Sequence, residues 1–140
     1  MTAAPLFFSE YAEGSSNNKY LEIYNNSGVD VSLDDYFIAR AANGANGSHE
    51  SEIFFPDGAI IKAGSTYVIA HSSADDLIKS RADLTTGSLS HNGDDGTALA
   101  YGPESNPQYI DWVGDFGADP GSGWPVAGES TATKDHTLIR

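Results

Sequence analysis

The sequence predicts an all-β sandwich or barrel, and three observations support this fold class. Short stretches rich in β-branched and aromatic residues recur along the chain, clusters of Gly, Asn, Asp and Ser separate them, and apolar and polar residues alternate within them. In the segment KYLEIYN, Leu21 and Ile23 fall on one face of a strand, whereas Tyr20, Glu22 and Tyr24 fall on the other. A period of two is typical of a strand with one buried face.

Eight strands are predicted along the chain, each bounded by residues that favour turns. They cover residues 5–11, 19–24, 31–41, 52–55, 65–71, 97–101, 108–113 and 136–140. Because Gly and Asn tolerate a positive φ angle, connections are expected at Asn26-Ser27-Gly28, Pro56-Asp57-Gly58, Ala63-Gly64 and Asn92-Gly93.

One helix and two long loops complete the predicted elements. The helix covers residues 73–82, where Ser73 can cap the N-terminus and two Asp residues follow in the first turn. Residues 42–51 and 117–134 are rich in Gly, Ser, Ala and Pro, so we expect surface loops there. Loops of that length in a compact domain are usually functional or mobile.

Length and charge limit the class of protein. With 140 residues the chain can bury one core, so we expect a single domain over residues 1–140. It contains no cysteine, which excludes disulfides and thiolate metal sites. Its 20 acidic and 7 basic residues give a net charge of −13, which repels nucleic acid and anionic lipid. We therefore expect no nucleic-acid partner, no membrane insertion, and a monomer that functions outside the cell or at its surface.

The start of the chain shows no export signal. The first residues, MTAAPLFFSEY, have neither a basic region nor an apolar stretch long enough for a signal peptide. We expect such a signal to lie outside this sequence.

A set of oxygen-bearing side chains is the candidate metal site. Asn92, Asp94 and Asp95 lie in a turn flanked by Gly, and Asp115 and Asp119 lie in a second loop. Calcium prefers oxygen ligands of this kind, although the EF-hand spacing is missing from both segments. The alternative is that these carboxylates accept backbone N–H bonds in turns and keep the surface soluble. No cofactor is required by either interpretation.

The segment EGSSNNK between the first two strands is a candidate ligand-binding loop. Glu13, Ser15, Asn17 and Asn18 present many small hydrogen-bonding groups that could recognise a polar ligand. The alternative is a hairpin connection whose side chains bond their own backbone. Lys19 is expected to form a surface ion pair with Glu13, and such a pair stabilises little.

Aromatic residues concentrate near the C-terminal hairpin. Trp112 lies within QYIDWVG and is predicted to be in the core. Trp124 lies in the loop GSGWPV, where it either contacts a ligand or fastens the loop to the sandwich. If they are exposed, Trp112 and Trp124 would form a platform for a sugar or a protein together with Tyr101, Tyr109 and Phe116.

No catalytic residues are predicted. The four histidines are scattered without HxH or HExxH spacing, so a zinc site is not expected. His136 follows Asp135, but no Ser stands in a G-x-S-x-G elbow that would complete a triad. The sequence is therefore not predicted to be an enzyme.

Three blocks resemble, in order and spacing, the lamin-tail domain of bacterial secreted proteins. They are FFSEYAEGSSNNKYLEIYNNSGVDVSLDDY, SHNGDDGTALAY and DHTLIR. The resemblance implies an immunoglobulin-like β-sandwich with one short helix, an accessory module often found beside exported nucleases and phosphoesterases. His71 and His91 depart from the family pattern, which prefers Asn and an apolar residue there.

These observations favour a non-catalytic extracellular module of a larger secreted protein. We expect it to tether or position a neighbouring domain of that protein, or to bind a protein or glycan ligand. The alternatives are a calcium-dependent adhesion or carbohydrate-binding domain and, after these, an enzyme. The C-terminal residues 137–140 are predicted to form an edge strand that could accept another chain.

Overall fold

The structure, a computed structural model, describes residues 5–44 and 47–140. In these residues the chain forms eleven strands and one short helix. In chain order they are β1 (Leu6–Glu13), β2 (Lys19–Asn25), β3 (Val31–Ser32), β4 (Tyr36–Ala41), β5 (Ser51–Phe54), β6 (Ile60–Ile61), β7 (Thr66–His71), α1 (Asp76–Lys79), β8 (Leu84–Thr86), β9 (Gly96–Tyr101), β10 (Gln108–Val113) and β11 (Thr137–Ile139).

Most strands belong to two sheets. The first has the order β11-β1-β2-β7-β8, and the second has the order β10-β9-β4-β5. All pairs are antiparallel except β7 with β8, and β3 pairs separately with β6. The predicted β-sandwich with one short helix is therefore confirmed.

The main core consists of inward-facing side chains from both sheets. Leu21 and Ile23 of β2 and Ile69 of β7 come from the first sheet, and Ile38 of β4 and Leu99 of β9 come from the second. Each is fully buried. Burial of a side chain of this size contributes roughly 1.5 to 3 kcal/mol.

The predicted strand over residues 31–41 is wrong, because a turn divides it into β3 and β4. The backbone N–H of Tyr36 donates to the carbonyl of Leu33 at 2.9 Å. The carboxylate of Asp34 accepts the N–H of Gly58 at 2.9 Å, which fixes the turn against the next loop. As a result, β3 pairs with β6, whereas β4 pairs with β5 and β9.

The helix is shorter than predicted. It spans four residues, Asp76–Lys79, and its N-cap is Asp75 rather than Ser73. The N–H of Ser73 instead donates to Nδ1 of His71 at 2.9 Å, so Ser73 belongs to the turn that follows β7. No helix in the described part of the chain is long and apolar enough to cross a membrane.

Candidate functional site

The two ends of the sandwich carry different sets of polar residues. The motif end is formed by the β1–β2 hairpin, the loop before β9 and the loop around Trp124. The open end lies at the start of β4 and the end of β9. Every metal and ligand residue predicted from the sequence lies in the loops at or near the motif end.

Glu13 and Lys19 form a buried ion pair at the motif end. Nζ of Lys19 lies 2.6 Å from Oε1 of Glu13, and the two side chains are only 9% and 7% exposed. Oε2 of Glu13 also accepts the N–H of Asp135 at 2.6 Å. Burial alone would raise the pKa of Glu13, but these hydrogen bonds outweigh it and the pKa is lowered. The expected surface pair is therefore wrong, since both charges are enclosed.

The rest of the EGSSNNK loop forms a closed hairpin connection. The N–H of Gly14 donates to the carbonyl of Asn18 at 2.9 Å, and the N–H of Asn18 donates to the carbonyl of Ser15 at 3.1 Å. The side chain of Asn18 donates to Asp75 and accepts the N–H of Asp75, each at 2.8 Å. Ser15 is exposed and Asn17 is partly buried. The ligand-binding prediction for these residues stays a prediction, and the bonds of Asn18 serve the fold.

His91 lies inside the motif end and makes one internal hydrogen bond. Its side chain is completely buried, and Nε2 lies 2.7 Å from the carbonyl oxygen of Ala12, to which it donates. Its ring packs on Tyr11 with a centroid distance of 4.6 Å. Burial, together with the nearby charges of Arg40 and Lys19, lowers the pKa of His91 to about 4. The imidazole is therefore neutral at physiological pH.

Asp95 fastens the loop before β9 to the second sheet. It is buried, and one carboxylate oxygen lies 3.5 Å from Nη2 of Arg40. The carboxylate also accepts the N–H groups of Asn43 at 3.1 Å and Asn92 at 3.2 Å. Because its oxygens already accept these donors, Asp95 acts as a structural anchor.

The other predicted metal ligands gather only in part. The side-chain amides of Asn43 and Asn92 point at the carboxylate of Asp94. With its amide nitrogen towards Asp94, Asn43 donates to Oδ1 of Asp94 at 3.1 Å. Burial raises the pKa of Asp94, and the charges of Asp95 and Asp119 raise it further. Asp119 accepts the N–H of Gly121 at 2.7 Å, as in the alternative interpretation of turn-capping carboxylates.

Asp115 is also engaged in a local turn. Its carboxylate accepts the N–H of Gly117 two residues later. Among the described residues, no group of three or more His, Asp or Glu side chains could hold a metal ion. Calcium binding stays a prediction.

Trp124 pins its loop onto the sandwich. Its indole N–H donates to the carbonyl of Asp95 at 3.1 Å, and its backbone N–H donates to Oγ1 of Thr133 at 2.7 Å. The ring covers Gly114, where a Cβ atom would overlap the indole. The side chain is half-buried, so its packing agrees with the interpretation that Trp124 fastens the loop to the sandwich.

His136 lies in the turn before β11. It is exposed, and its Nδ1 lies 2.5 Å from the carbonyl oxygen of Lys134. The backbone of Asp135 is bonded to Glu13. These contacts close the turn before β11.

The outer face of the second sheet carries an aromatic surface that contains Tyr109, Trp112 and Phe116 of the predicted platform, together with His49 and Phe54. Its central positions are alanines, completely buried beneath larger rings. Those rings contact one another in series. The distances between ring centroids are 4.7 Å from Trp112 to Phe116, 5.3 Å from Phe116 to Tyr109 and 5.9 Å from Tyr109 to His49. Phe54, which contacts Phe37 at 5.6 Å, is 52% exposed. We call this surface the aromatic face.

The prediction that Trp112 belongs to the core is wrong. A register shift between Tyr109 and Asp111 marks a β-bulge in β10. Tyr109 and Trp112 therefore both lie on the outer face, where both are half-buried.

At the open end the aromatic face continues into a groove of about 570 Å³. The rings of Tyr36 and Tyr101 pack there at 4.8 Å, next to Phe37 and Phe54. The groove is lined by Asp34, Asp35, Tyr36, Phe37, Phe54, Tyr101, Gly102, Pro103 and Glu104.

The groove is acidic. Three of its lining residues are carboxylic acids, and none of them is Lys, Arg or His. The N–H of Gly58 and the hydroxyl of Ser32 donate to Asp34 and lower its pKa. Of the lining residues, only Tyr101 was among the candidate binding residues predicted from the sequence. The missed signal was the Asp34-Asp35 pair directly before an aromatic strand.

A comparison with known families finds one match. The family described as Lamin Tail Domain matches residues 1–116. No curated protein matches the chain. The matched segment contains β1 to β10, the aromatic face and the groove, whereas the loop around Trp124 at the motif end lies beyond it.

Proposed function

The chain belongs to the lamin tail domain family, and from this membership we propose that it is a non-catalytic module that tethers or positions a protein partner outside the cell. The family is an immunoglobulin-like, non-catalytic family of protein-interaction domains and has no known cofactor. The partner is a neighbouring domain of the same protein or a second exported protein.

The aromatic face is the observation that carries this proposal. Tyr, Trp and Phe are enriched in protein interfaces, where they supply large contact areas at a low cost in side-chain entropy. Tyr109, Trp112 and Phe54 stand on strands of a packed sheet, so their rings are held in place before a partner arrives. A rigid aromatic surface of this kind suits a protein ligand.

The motif end supports the non-catalytic part of the proposal. Glu13 and Lys19 are bonded to each other, and Asp95 is bonded to Arg40 and to backbone N–H groups. A general acid or base must reach a substrate, and these groups are enclosed. Their present partners explain why acidic and basic residues are found there.

The extracellular part of the proposal is supported by charge. A net charge of −13 keeps the chain soluble and suits media in which cations screen the self-repulsion. The same charge opposes binding to nucleic acid.

Photo-crosslinking tests the proposed interaction. A benzophenone amino acid replaces Trp112 on the aromatic face or, as a control, the exposed Leu77 of α1. Each protein is irradiated with the exported proteins of the source organism, and adducts are identified by mass spectrometry. We expect a defined adduct from position 112, which weakens when Tyr109→Ala is added.

Two results would contradict the proposal. The first is that positions 112 and 77 give the same adducts, which indicates non-specific contact. The second is turnover of model esters or phosphodiesters by the purified chain, above the rate measured without protein.

A further inference from the structure

We infer that the groove at the open end receives a basic segment of the protein partner, with a Lys or Arg side chain seated among its aromatic rings. This inference rests on the proposed function, because it names the chemistry of the partner that the aromatic face would bind. It adds a site and a specificity that membership of the family does not supply.

Charge complementarity is the first argument. Asp34, Asp35 and Glu104 stand around one groove, and all three are exposed. The hydrogen bonds that lower the pKa of Asp34 keep that carboxylate ionised. Since the lining contains no basic residue, the charge of the groove is not neutralised from within. A cation in the groove is attracted by all three carboxylates, whereas an anion is repelled by them.

The positions of the basic residues strengthen this argument. All seven lie outside the groove lining. Lys19 and Arg40 are buried at the motif end, Lys79 pairs with Asp76, and Arg140 pairs with Asp111. The open end therefore has an acidic groove that a basic partner would complement.

The ring geometry is the second argument. A cation within about 6 Å of an aromatic centroid is attracted by the negative face of the ring. Tyr36 and Tyr101 are tilted by 53° to each other, and Phe37 and Phe54 are tilted by 39°. Of these four rings, Phe54 is 52% exposed and Tyr101 is partly exposed, whereas Tyr36 and Phe37 are buried, so a ligand in the groove would meet mainly Phe54 and Tyr101. The aliphatic part of a Lys or Arg side chain can pack on such rings while its charged end reaches the carboxylates.

Access is the third argument. Phe54 is 52% exposed and belongs to β5, which is an edge strand of the second sheet. In the part of the chain that the structure describes, no further strand of that sheet pairs with the outer edge of β5. The volume of about 570 Å³ admits a long side chain with the backbone of the segment that carries it. A groove at a sheet edge can therefore take an extended segment.

The test uses the whole chain labelled with 15N and four probes. The probes are decapeptides with three Arg, with three Lys, or with Gln at the same positions, and a neutral hexasaccharide. We expect both basic peptides to shift the amide signals of Asp35, Phe54 and Gly102. We also expect the Gln peptide to bind at least about tenfold more weakly, and added salt to weaken the basic peptides.

Matched variants identify the groups responsible. Asp35→Asn with Glu104→Gln removes two charges from the groove, and Asp76→Asn with Glu129→Gln removes two exposed charges elsewhere. We expect the first pair to weaken peptide binding by about tenfold and the second by less than about twofold, because exposed charges beyond one Debye length are screened. Phe54→Ala should weaken binding, whereas Leu77→Ala, which removes a still more exposed apolar side chain elsewhere, should not.

Three outcomes would overturn the inference: shifts that map away from the groove, equal effects of the two charge pairs, or a response to the hexasaccharide instead of the peptides. The proposed function has its own readout. If the adduct at position 112 forms and is unaffected by Asp35→Asn with Glu104→Gln, the proposed interaction module is supported, and the inference that its partner is basic is wrong. If the peptides bind in the groove but no adduct forms, the groove is a binding site for basic segments, and the proposal that the aromatic face binds a protein partner is wrong.

Discussion

The motif end and the open end of the sandwich use charged side chains in opposite ways. At the motif end, Glu13 faces Lys19 and Asp95 faces Arg40 inside the protein. At the open end, exposed carboxylates surround aromatic rings with no basic residue in the lining. The sequence blocks that resemble the family contribute residues to both ends, Glu13, Lys19 and Asp95 at the first and Asp34, Asp35 and Tyr101 at the second. The same blocks therefore supply the buried ion pairs that stabilise the fold and the exposed carboxylates of the proposed recognition site.

The largest expected effect comes from breaking the buried pair. In Lys19→Met the carboxylate of Glu13 stays buried without its cation, and removing one partner of such a pair costs about 3 to 5 kcal/mol. Glu104→Gln at the open end should change the free energy of unfolding by less than about 0.5 kcal/mol. Urea denaturation of both variants measures the difference. Similar values would remove the contrast between the two ends.

The next effect depends on pH and comes from His91. Its folded pKa of about 4 lies below the unperturbed value of 6.5, so the unfolded chain binds more protons between these values. The contribution of His91 to the free energy of unfolding is therefore fully present above pH 6.5. It is lost as the pH falls to about 4, which lowers the free energy of unfolding by roughly 3 kcal/mol. His91→Phe should flatten this part of the curve, whereas the exposed His136→Gln should not. Thermal unfolding at a series of pH values measures it; equal slopes would contradict the assignment.

Two glycines test how tightly the motif end is packed. Both have positive φ angles, +71° at Gly114 and +78° at Gly28, but only the Cβ of an alanine at 114 would meet the indole of Trp124. Gly28→Ala should cost about 1 kcal/mol for the backbone alone. Gly114→Ala should cost about 1 to 3 kcal/mol more, because the ring must move. If the two losses are equal, Trp124 is not held as described.

The smallest expected effect is on stability at the open end. Phe54→Ala removes a half-exposed ring, so the free energy of unfolding should fall by less than about 1 kcal/mol. Phe37→Ala, from the buried side of the same ring pair, should cost about 3 kcal/mol or more. Calorimetry of the two variants compares them. A large loss from Phe54→Ala would show that this ring serves packing rather than recognition.

Alternation was a sufficient guide wherever a strand has one buried face. In β2 the predicted inward residues are fully buried and the intervening ones are partly exposed. Alternation does not predict the turn at Leu33 to Tyr36, because that turn is fixed in part by a hydrogen bond from a loop over twenty residues away. Strands β6 and β8, with two and three residues, are too short to show a period.

The candidate site was harder to predict than the fold. A bulge in β10 puts Trp112 on the outer face, and a bulge depends on cross-strand pairing that the local sequence does not reveal. The groove combines residues from β4, β5 and the segment after β9, which are far apart in the chain. The ion pair between Lys19 and Glu13 was predicted from the sequence, but its burial was not. That burial depends on His91 and on residues 135 and 136, which are distant in sequence and pack over the pair.

The pairing of β1 with β11 has a consequence for biosynthesis. Glu10 pairs with Ile139, and Glu13 receives a hydrogen bond from Asp135, 122 residues later. Within this domain, the outer edge of β1 therefore remains without its partner until β11 has been synthesised. Contacts this distant in sequence slow folding. Completion of this sheet must be a late event, and during translation the nascent chain exposes an unpaired edge.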